Sequence, residues 1–211
     1  MDQSDPCLST AQAFGSVAQR YTDKYFELSD YQPQLDRFID GLKPEQIEVL
    51  DLACGPGNVS AYLLLQRPGL RIHGLDLAPE MIEIARNKVP GAVFEVGDCR
   101  ELIGLGRCFD AAVFSFGLSY LSDEDAERCL RALHSQLRPE GLLYLSSITG
   151  DPAQSGSTEV NGHQLHTHYR SAEDILALIS NAGFHLQFSA IVPSPANASV
   201  LTQDLVLIAK R

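Results

Sequence analysis

The sequence contains no tryptophan and only two methionines among its 211 residues. It has no run of lysines and arginines. Its 16 basic side chains are outnumbered by 27 acidic ones, for a net charge of −11. Such a surface repels a phosphate backbone, so nucleic acid is not expected as a partner. No apolar stretch reaches the roughly 18 residues that cross a bilayer, so no membrane span is expected. The first residues, Met1-Asp2-Gln3-Ser4-Asp5-Pro6, lack the basic-then-apolar layout of a secretory signal. The cysteines at 7, 54, 99, 108 and 129 are odd in number and form no Cys-x-x-Cys pair. Scattered thiols suit a reducing compartment, and a cytoplasmic location is expected.

A 45% hydrophobic content over this length suits one α/β domain with a sizeable core. Residues 1–9 read as a loose tail. Phe14, Val17, Ala18, Tyr21 and Tyr25 recur at helical spacing and predict one amphipathic helix. Leu35, Phe38, Ile39 and Leu42 predict a second. From Ile47 the chain alternates strand and helix, which predicts a parallel sheet with right-handed crossovers. Helices are expected over Asn58–Gln66, over Pro79–Lys88, after the cap Ser122, and after the cap Ser171. Asp125 stands where a capping box places its acid. Residues 100–108 read as a loop or short helical turn. Leu142–Ile148 is almost wholly apolar, hence a central strand. Residues 150–162 read as a loop or small insertion. Residues 184–190 alternate as a half-exposed strand, and Leu201–Ala209 returns as a last strand. The whole is read as a single domain, 1–211, in which 1–44 form a helical cap over a core of 45–211.

The organising stretch is Val49-Leu50-Asp51-Leu52-Ala53-Cys54-Gly55-Pro56-Gly57-Asn58-Val59-Ser60. It reads as a buried strand, a tight glycine turn and a helix start. Gly55 and Gly57 let the backbone turn and let a ligand approach bare main chain. The helix opening at Asn58 directs free N–H groups toward that turn. A dinucleotide fingerprint needs a third glycine where Ser60 stands, and a Walker loop needs a Gly-Lys-Ser/Thr ending that is absent. A second strand ends at Asp76, a carboxylate suited to both ribose hydroxyls. A third ends at Asp98, and Phe109–Ser115 forms a fourth.

The stretch resembles motif I of the class I S-adenosylmethionine-dependent methyltransferases, an acid followed by glycines at alternate positions, with Asp51 as the acid and Ala53, Gly55 and Gly57 in the glycine slots. The resemblance extends over roughly residues 10–211. Phe14, Ala18 and Tyr21 match a layout seen before motif I in quinone-biosynthesis-like small-molecule members. It implies a Rossmann-like, seven-stranded, mostly parallel sheet with the last strand antiparallel, helices on both faces and an N-terminal helical cap. It also implies S-adenosyl-L-methionine as cofactor, bound by Asp51, Ala53, Cys54, Gly55, Gly57, Asn58, Asp76, Leu77, Met81, Asp98, Cys99, Ser115 and Phe116. In the family the acid at the third strand accepts from the adenine amino group. The expected activity is methylation of a small molecule at O, N or C. A non-catalytic binder of the same cofactor, and a nicotinamide-dependent oxidoreductase, are the rival readings. A homodimer is compatible with all three.

Methyl transfer asks mainly for in-line positioning, and a base only where the acceptor keeps a proton. The candidates are His168, His166 and Tyr21. The segment Gly162-His163-Gln164-Leu165-His166-Thr167-His168-Tyr169-Arg170 is the most unusual polar cluster, and if extended it sets His166 and His168 on one side. The plainer reading of these imidazoles is a surface strand edge leading to the last helix. Three imidazoles could bind zinc, but no acid or cysteine is spaced to complete a site. Asp123 and Glu124 read as first-turn helix charges rather than ligands of a magnesium ion. No metal is expected.

Overall fold

The structure, a computed structural model, describes residues 5–102, 106–196 and 202–211. Three helices come first: α1 (Pro6–Gly15), α2 (Ala18–Tyr25) and α3 (Gln32–Gly41). The alternating core follows as β1 (Glu48–Leu52), α4 (Asn58–Gln66), β2 (Arg71–Asp76), α5 (Pro79–Lys88), β3 (Val93–Val96), β4 (Phe109–Ser115) and α6 (Asp123–Gln136). It ends with β5 (Leu137–Thr149), a hairpin of β6 (Gly156–Val160) and β7 (His163–Thr167), α7 (Ala172–Asn181), β8 (His185–Pro193) and β9 (Gln203–Lys210).

Seven strands form one sheet in the order β3-β2-β1-β4-β5-β9-β8. β1 pairs in parallel with β2 on one side and β4 on the other. β9 is antiparallel to both β5 and β8, so the last strand alone runs against the rest. The expected Rossmann-like sheet is therefore the fold. Strand order reverses between β1 and β4, and the crevice at the carboxyl ends of such a pair is where open α/β sheets hold ligands.

The period-two alternation of β1 sorts its side chains onto two layers. Leu50 and Leu52 join the core that holds Leu130 and Leu133 of α6 and Ile175 of α7. Val49 joins the opposite core, with Leu35 and Phe38 of α3 and Leu63 of α4. Asp51 shares that second face, and its carboxylate is buried at the tip of the strand.

The chain departs from the sequence expectations in four places. The expected tail is helical from Pro6: Asp5 caps α1 by accepting the Cys7 N–H at 2.9 Å, and proline suits the first turn. The single expected helix is two, broken at Gly15-Ser16. Ser16 Oγ donates to the Ala13 carbonyl at 2.7 Å, and Gly15 lies so close to Glu80 that a Cβ would stand 2.3 Å from its carboxylate. Where a loop or small insertion was expected over 150–162, residues 156–167 form a hairpin, which reaches beyond the expected bounds. It turns on Asn161 and Gly162, at φ 49° and 81°, the pair that a type I′ turn demands. At α6, Ser122 Oγ accepts the Asp125 N–H, but the Asp125 carboxylate turns to Arg128, so only half of a capping box forms. The full box appears at α7, between Ser171 and Asp174. Part of the 100–108 segment, and the start of the expected last strand at Leu201, lie outside the described residues.

Candidate active site

Everything the sequence placed at the tips of β1, β2 and β4 converges on one crevice. Asp76, ending β2, accepts the Gly55 N–H at 2.8 Å and the Ala78 N–H at 2.9 Å. Burial pushes its carboxyl up, against these backbone bonds. Asp51, ending β1, accepts the Ser60 hydroxyl at 2.6 Å, which ties the strand to the first turn of α4. Burial pushes the Asp51 carboxyl up to about 7, the Ser60 bond opposing. From β4, Ser115 shares a 2.8 Å hydrogen bond with Ser146, and Phe116 adopts φ 61° to turn its ring into the crevice.

The turn after β1 is left-handed at three residues. Gly55 and Gly57 have φ 53° and 79°, and Ala53, in the first glycine slot, has φ 52°. Ala53 is thus a small residue held in a conformation that glycine adopts without strain. The two glycines differ in duty. A Cβ on Gly55 would meet nothing within 4 Å, so its bare main chain faces open space. A Cβ on Gly57 would press on Phe94, Ala85 and Val89, so Gly57 serves the packing of α4 on α5.

Three adjoining cavities result. The first, of about 120 Å³, lies under α1 and is walled by Gly55, Asp76, Leu77, Met81, Asp98 and Cys99, with Ser115 and Phe116 at one side. The second, of about 70 Å³, continues it toward Asp51, Ala53, Cys54 and Asn58. Asn58 Nδ2 donates to the Tyr25 carbonyl at 3.0 Å, which joins the end of α2 to the start of α4. The third, of about 650 Å³, lies beyond a shared wall of Phe14, Tyr21, Phe116 and Tyr120. Phe14 meets Tyr21 and Tyr120 edge-on at 5.6 and 5.0 Å. Tyr25, Tyr31 and Asp204 line its far side, and Arg20 and Lys24 its α2 side.

Of the cofactor candidates, all but Gly57 line the first two cavities. Asp98 stands at the wall as expected, yet both its oxygens are engaged by Arg100, at 2.6 to 3.0 Å. Arg100 reaches on to Asp5 at the head of α1, at 2.6 Å. This latch holds α1 over the crevice. A cavity of 120 Å³ is below the roughly 300–1,000 Å³ of small-molecule sites.

Of the catalytic candidates, Tyr21 lines all three cavities. Burial pushes its hydroxyl up to about 12, so it is a neutral hydrogen-bond donor at pH 7. Neither histidine lines any of them. On β7, Leu165 faces the large chamber, so the neighbouring His166 side chain turns away and pairs its Nδ1 with Ser157 Oγ at 2.6 Å. The His166 N–H donates to Thr10 Oγ1 at 3.0 Å, so its backbone braces α1. The His168 N–H donates to the Ser119 carbonyl at 2.7 Å, and burial, aided by Arg170, pushes its imidazole down. Sequence reasoning passed over Tyr31 and Asp204. The signal was an acid opening a wholly buried strand, Asp204 before Leu205–Ala209.

The chain is similar to known methyltransferases. A family described as a methyltransferase domain matches residues 49–141, from β1 through the start of β5. The demethylmenaquinone methyltransferase of Thermotoga maritima is 38% identical over 107 residues, 51% of this chain and 45% of that protein. That of Thermus thermophilus is 31% identical over 147 residues, 66% of each. The chain spans about half the length of the first curated relatives it matches. Among solved structures, the 1,6-didemethyltoxoflavin-N1-methyltransferase of Burkholderia thailandensis, with 1,6-didemethyltoxoflavin and S-adenosylhomocysteine bound, superposes with a TM-score of 0.75 at 23% identity. It covers 100% of this chain and 92% of that one, which is likeness of fold.

Proposed function

The chain belongs to the class I S-adenosylmethionine-dependent methyltransferase superfamily, and from that premise we propose that it methylates a small molecule seated in the 650 Å³ chamber. The carrying observation is that the acids at the first three strand tips wall adjoining cavities, which share aromatic side chains with that chamber.

The residues present fit the cofactor. Gly55 offers bare main chain to open space. The Asp76 carboxylate accepts one N–H on each oxygen from Gly55 and Ala78. A carboxylate accommodates about four hydrogen bonds, so it keeps capacity for ribose hydroxyls. Asp51, poorly ionised when buried alone, suits the ammonium of an amino-acid tail, because a cation nearby favours the charged carboxylate. When bound, S-adenosylmethionine supplies a methyl group on a sulfonium, displaced in line with a neutral thioether leaving.

The chain's own part is position and exclusion of water. Phe14, Tyr21, Phe116 and Tyr120 line both the donor side and the acceptor side, and their apolar ring faces surround the place where the two meet. Tyr21, neutral at pH 7, orients an acceptor by donating a hydrogen bond rather than by removing a proton. The five free thiols and the acidic composition support a cytoplasmic setting and an acceptor other than nucleic acid. Leu186 and Ile191, exposed on the outer strand β8, offer the edge for a homodimer.

The test is turnover to S-adenosylhomocysteine with a library of phenols, quinols, amines and acids. Release above the acceptor-free rate supports the transferase. Its absence across the library, with cofactor bound, supports a non-catalytic binder. Given a productive acceptor, Tyr21→Phe lowers turnover and His168→Ala leaves it unchanged.

A further inference from the structure

We infer that Asp204, held by Tyr31, is the recognition point of the large chamber, and that it selects an aromatic acceptor carrying a hydrogen-bond donor, a ring hydroxyl or ring-bound amine. This rests on reading that chamber as the acceptor's.

Asp204 sits near the start of β9, paired with Ile148 on β5 and Val192 on β8, and is 2% exposed. Its two oxygens accept the Tyr31 hydroxyl at 2.6 Å and the Thr202 hydroxyl at 3.2 Å. Among the described residues no ion pair reaches it. A carboxylate accommodates about four hydrogen bonds, and two are filled. Burial pushes the Asp204 carboxyl up, against the Tyr31 and Thr202 bonds, and an apolar residue here would avoid that desolvation. An acid retained in such a place is a candidate for ligand binding. Its position supports the same duty. Asp204, Tyr31 and Thr202 all line the chamber, and Tyr31 meets Phe116 edge-on at 5.4 Å, the ring that also walls the cofactor side. Tyr25, Phe14 and Tyr120 add aromatic wall to the chamber, beside Ile148 and Leu165 and the cations Arg20 and Lys24. A flat ring fits between the aromatic side chains, and an acceptor with a donor group completes the hydrogen bonding of Asp204. An acceptor carrying an anion at that end brings Asp204 no donor and leaves its hydrogen bonding incomplete.

The test uses three probes of one shape, 2-naphthol, 2-methoxynaphthalene and 2-naphthoate, titrated by calorimetry into the full chain with and without S-adenosylhomocysteine. The expected result is 2-naphthol bound about tenfold or more tighter than either of the others. Asp204→Asn should shrink that preference to about twofold, the loss expected when a charged acceptor becomes a neutral one. Tyr31→Phe should keep the preference, because it removes a donor and leaves the carboxylate. Equal binding of naphthol and its ether, tighter binding of naphthoate, no binding of any probe to the wild type, or an undiminished preference in Asp204→Asn would each overturn the proposal. Failure of S-adenosylhomocysteine to bind would count against the transferase reading alone, and the titrations run without it would still decide the role of Asp204.

Discussion

The carboxylate of Asp76, at the end of β2, accepts the Gly55 N–H of the turn after β1 at 2.8 Å. One acid thus braces the turn and presents itself to the cavity. Asp76→Ala should weaken S-adenosylhomocysteine binding by about 1.5–3 kcal/mol, the scale of hydrogen bonds to a charged group. Asp98→Ala should cost less, because Arg100 already engages both Asp98 oxygens. Calorimetric titration of both variants checks this, and unchanged affinity in Asp76→Ala would remove Asp76 from the site.

Ala53 is the non-glycine residue of the turn with a left-handed backbone, at φ 52°. Ala53→Gly relieves roughly 1–2 kcal/mol of that strain but adds unfolded-state freedom worth roughly 0.5–1 kcal/mol. The net change in stability should be small and, if anything, favourable. Ala53→Val should destabilise by about 2 kcal/mol or more, since a β-branched side chain resists positive φ. Denaturant unfolding of the pair measures both, and a clear loss in Ala53→Gly would contradict the strain.

Asp51 makes the fold sensitive to pH in a definite direction. Its folded carboxyl lies at about 7, above the ordinary 3.8. The raised value means its stabilising contribution is complete below about pH 4 and is lost as pH rises through 7, at most about 4 kcal/mol. Asp51→Asn removes the titration. The stability of the variant relative to wild type should therefore climb from pH 4 to pH 7 and then level off. A difference that is flat with pH would show that the wild-type carboxyl ionises normally.

Arg100 joins Asp98 on the core to Asp5 at the head of α1. Without it the cap should open more often. Arg100→Ala should speed amide exchange across residues 6–25 by roughly fivefold, the equivalent of about 1 kcal/mol, and should raise the rates of ligand entry and release together. Unaltered exchange would mean that the packing of α1 on β7, through Ser9 and Thr10, holds the cap by itself.

The core was legible because its signals are local. Asp51, Asp76 and Ser115 each end an apolar run, and proline or glycine punctuates each helix that follows, so element type and site position came together. The glycine turn was legible in kind but not in detail: spacing alone does not reveal that Gly55 faces the cavity while Gly57 faces Phe94. The cap was less legible. The stripe from Phe14 to Tyr25 is continuous, and the break at Gly15-Ser16 goes with a local Ser16 bond and with a contact to Glu80, distant in sequence. The placing of the histidine cluster was hidden for a related reason. Asn161-Gly162 is a hairpin signal, and a hairpin sets alternate residues inward, so Leu165 enters the chamber and His166 leaves it. Asp204 and Tyr31 lie 173 positions apart, and no local pattern pairs them.

The central claim is that the tips of β1, β2 and β3 together hold S-adenosylmethionine. Parallel calorimetric titrations of the wild-type protein with S-adenosylmethionine and with NADH test it most directly. Saturable one-to-one binding of the first and none of the second is the predicted result. Binding of NADH with no heat from S-adenosylmethionine would contradict it.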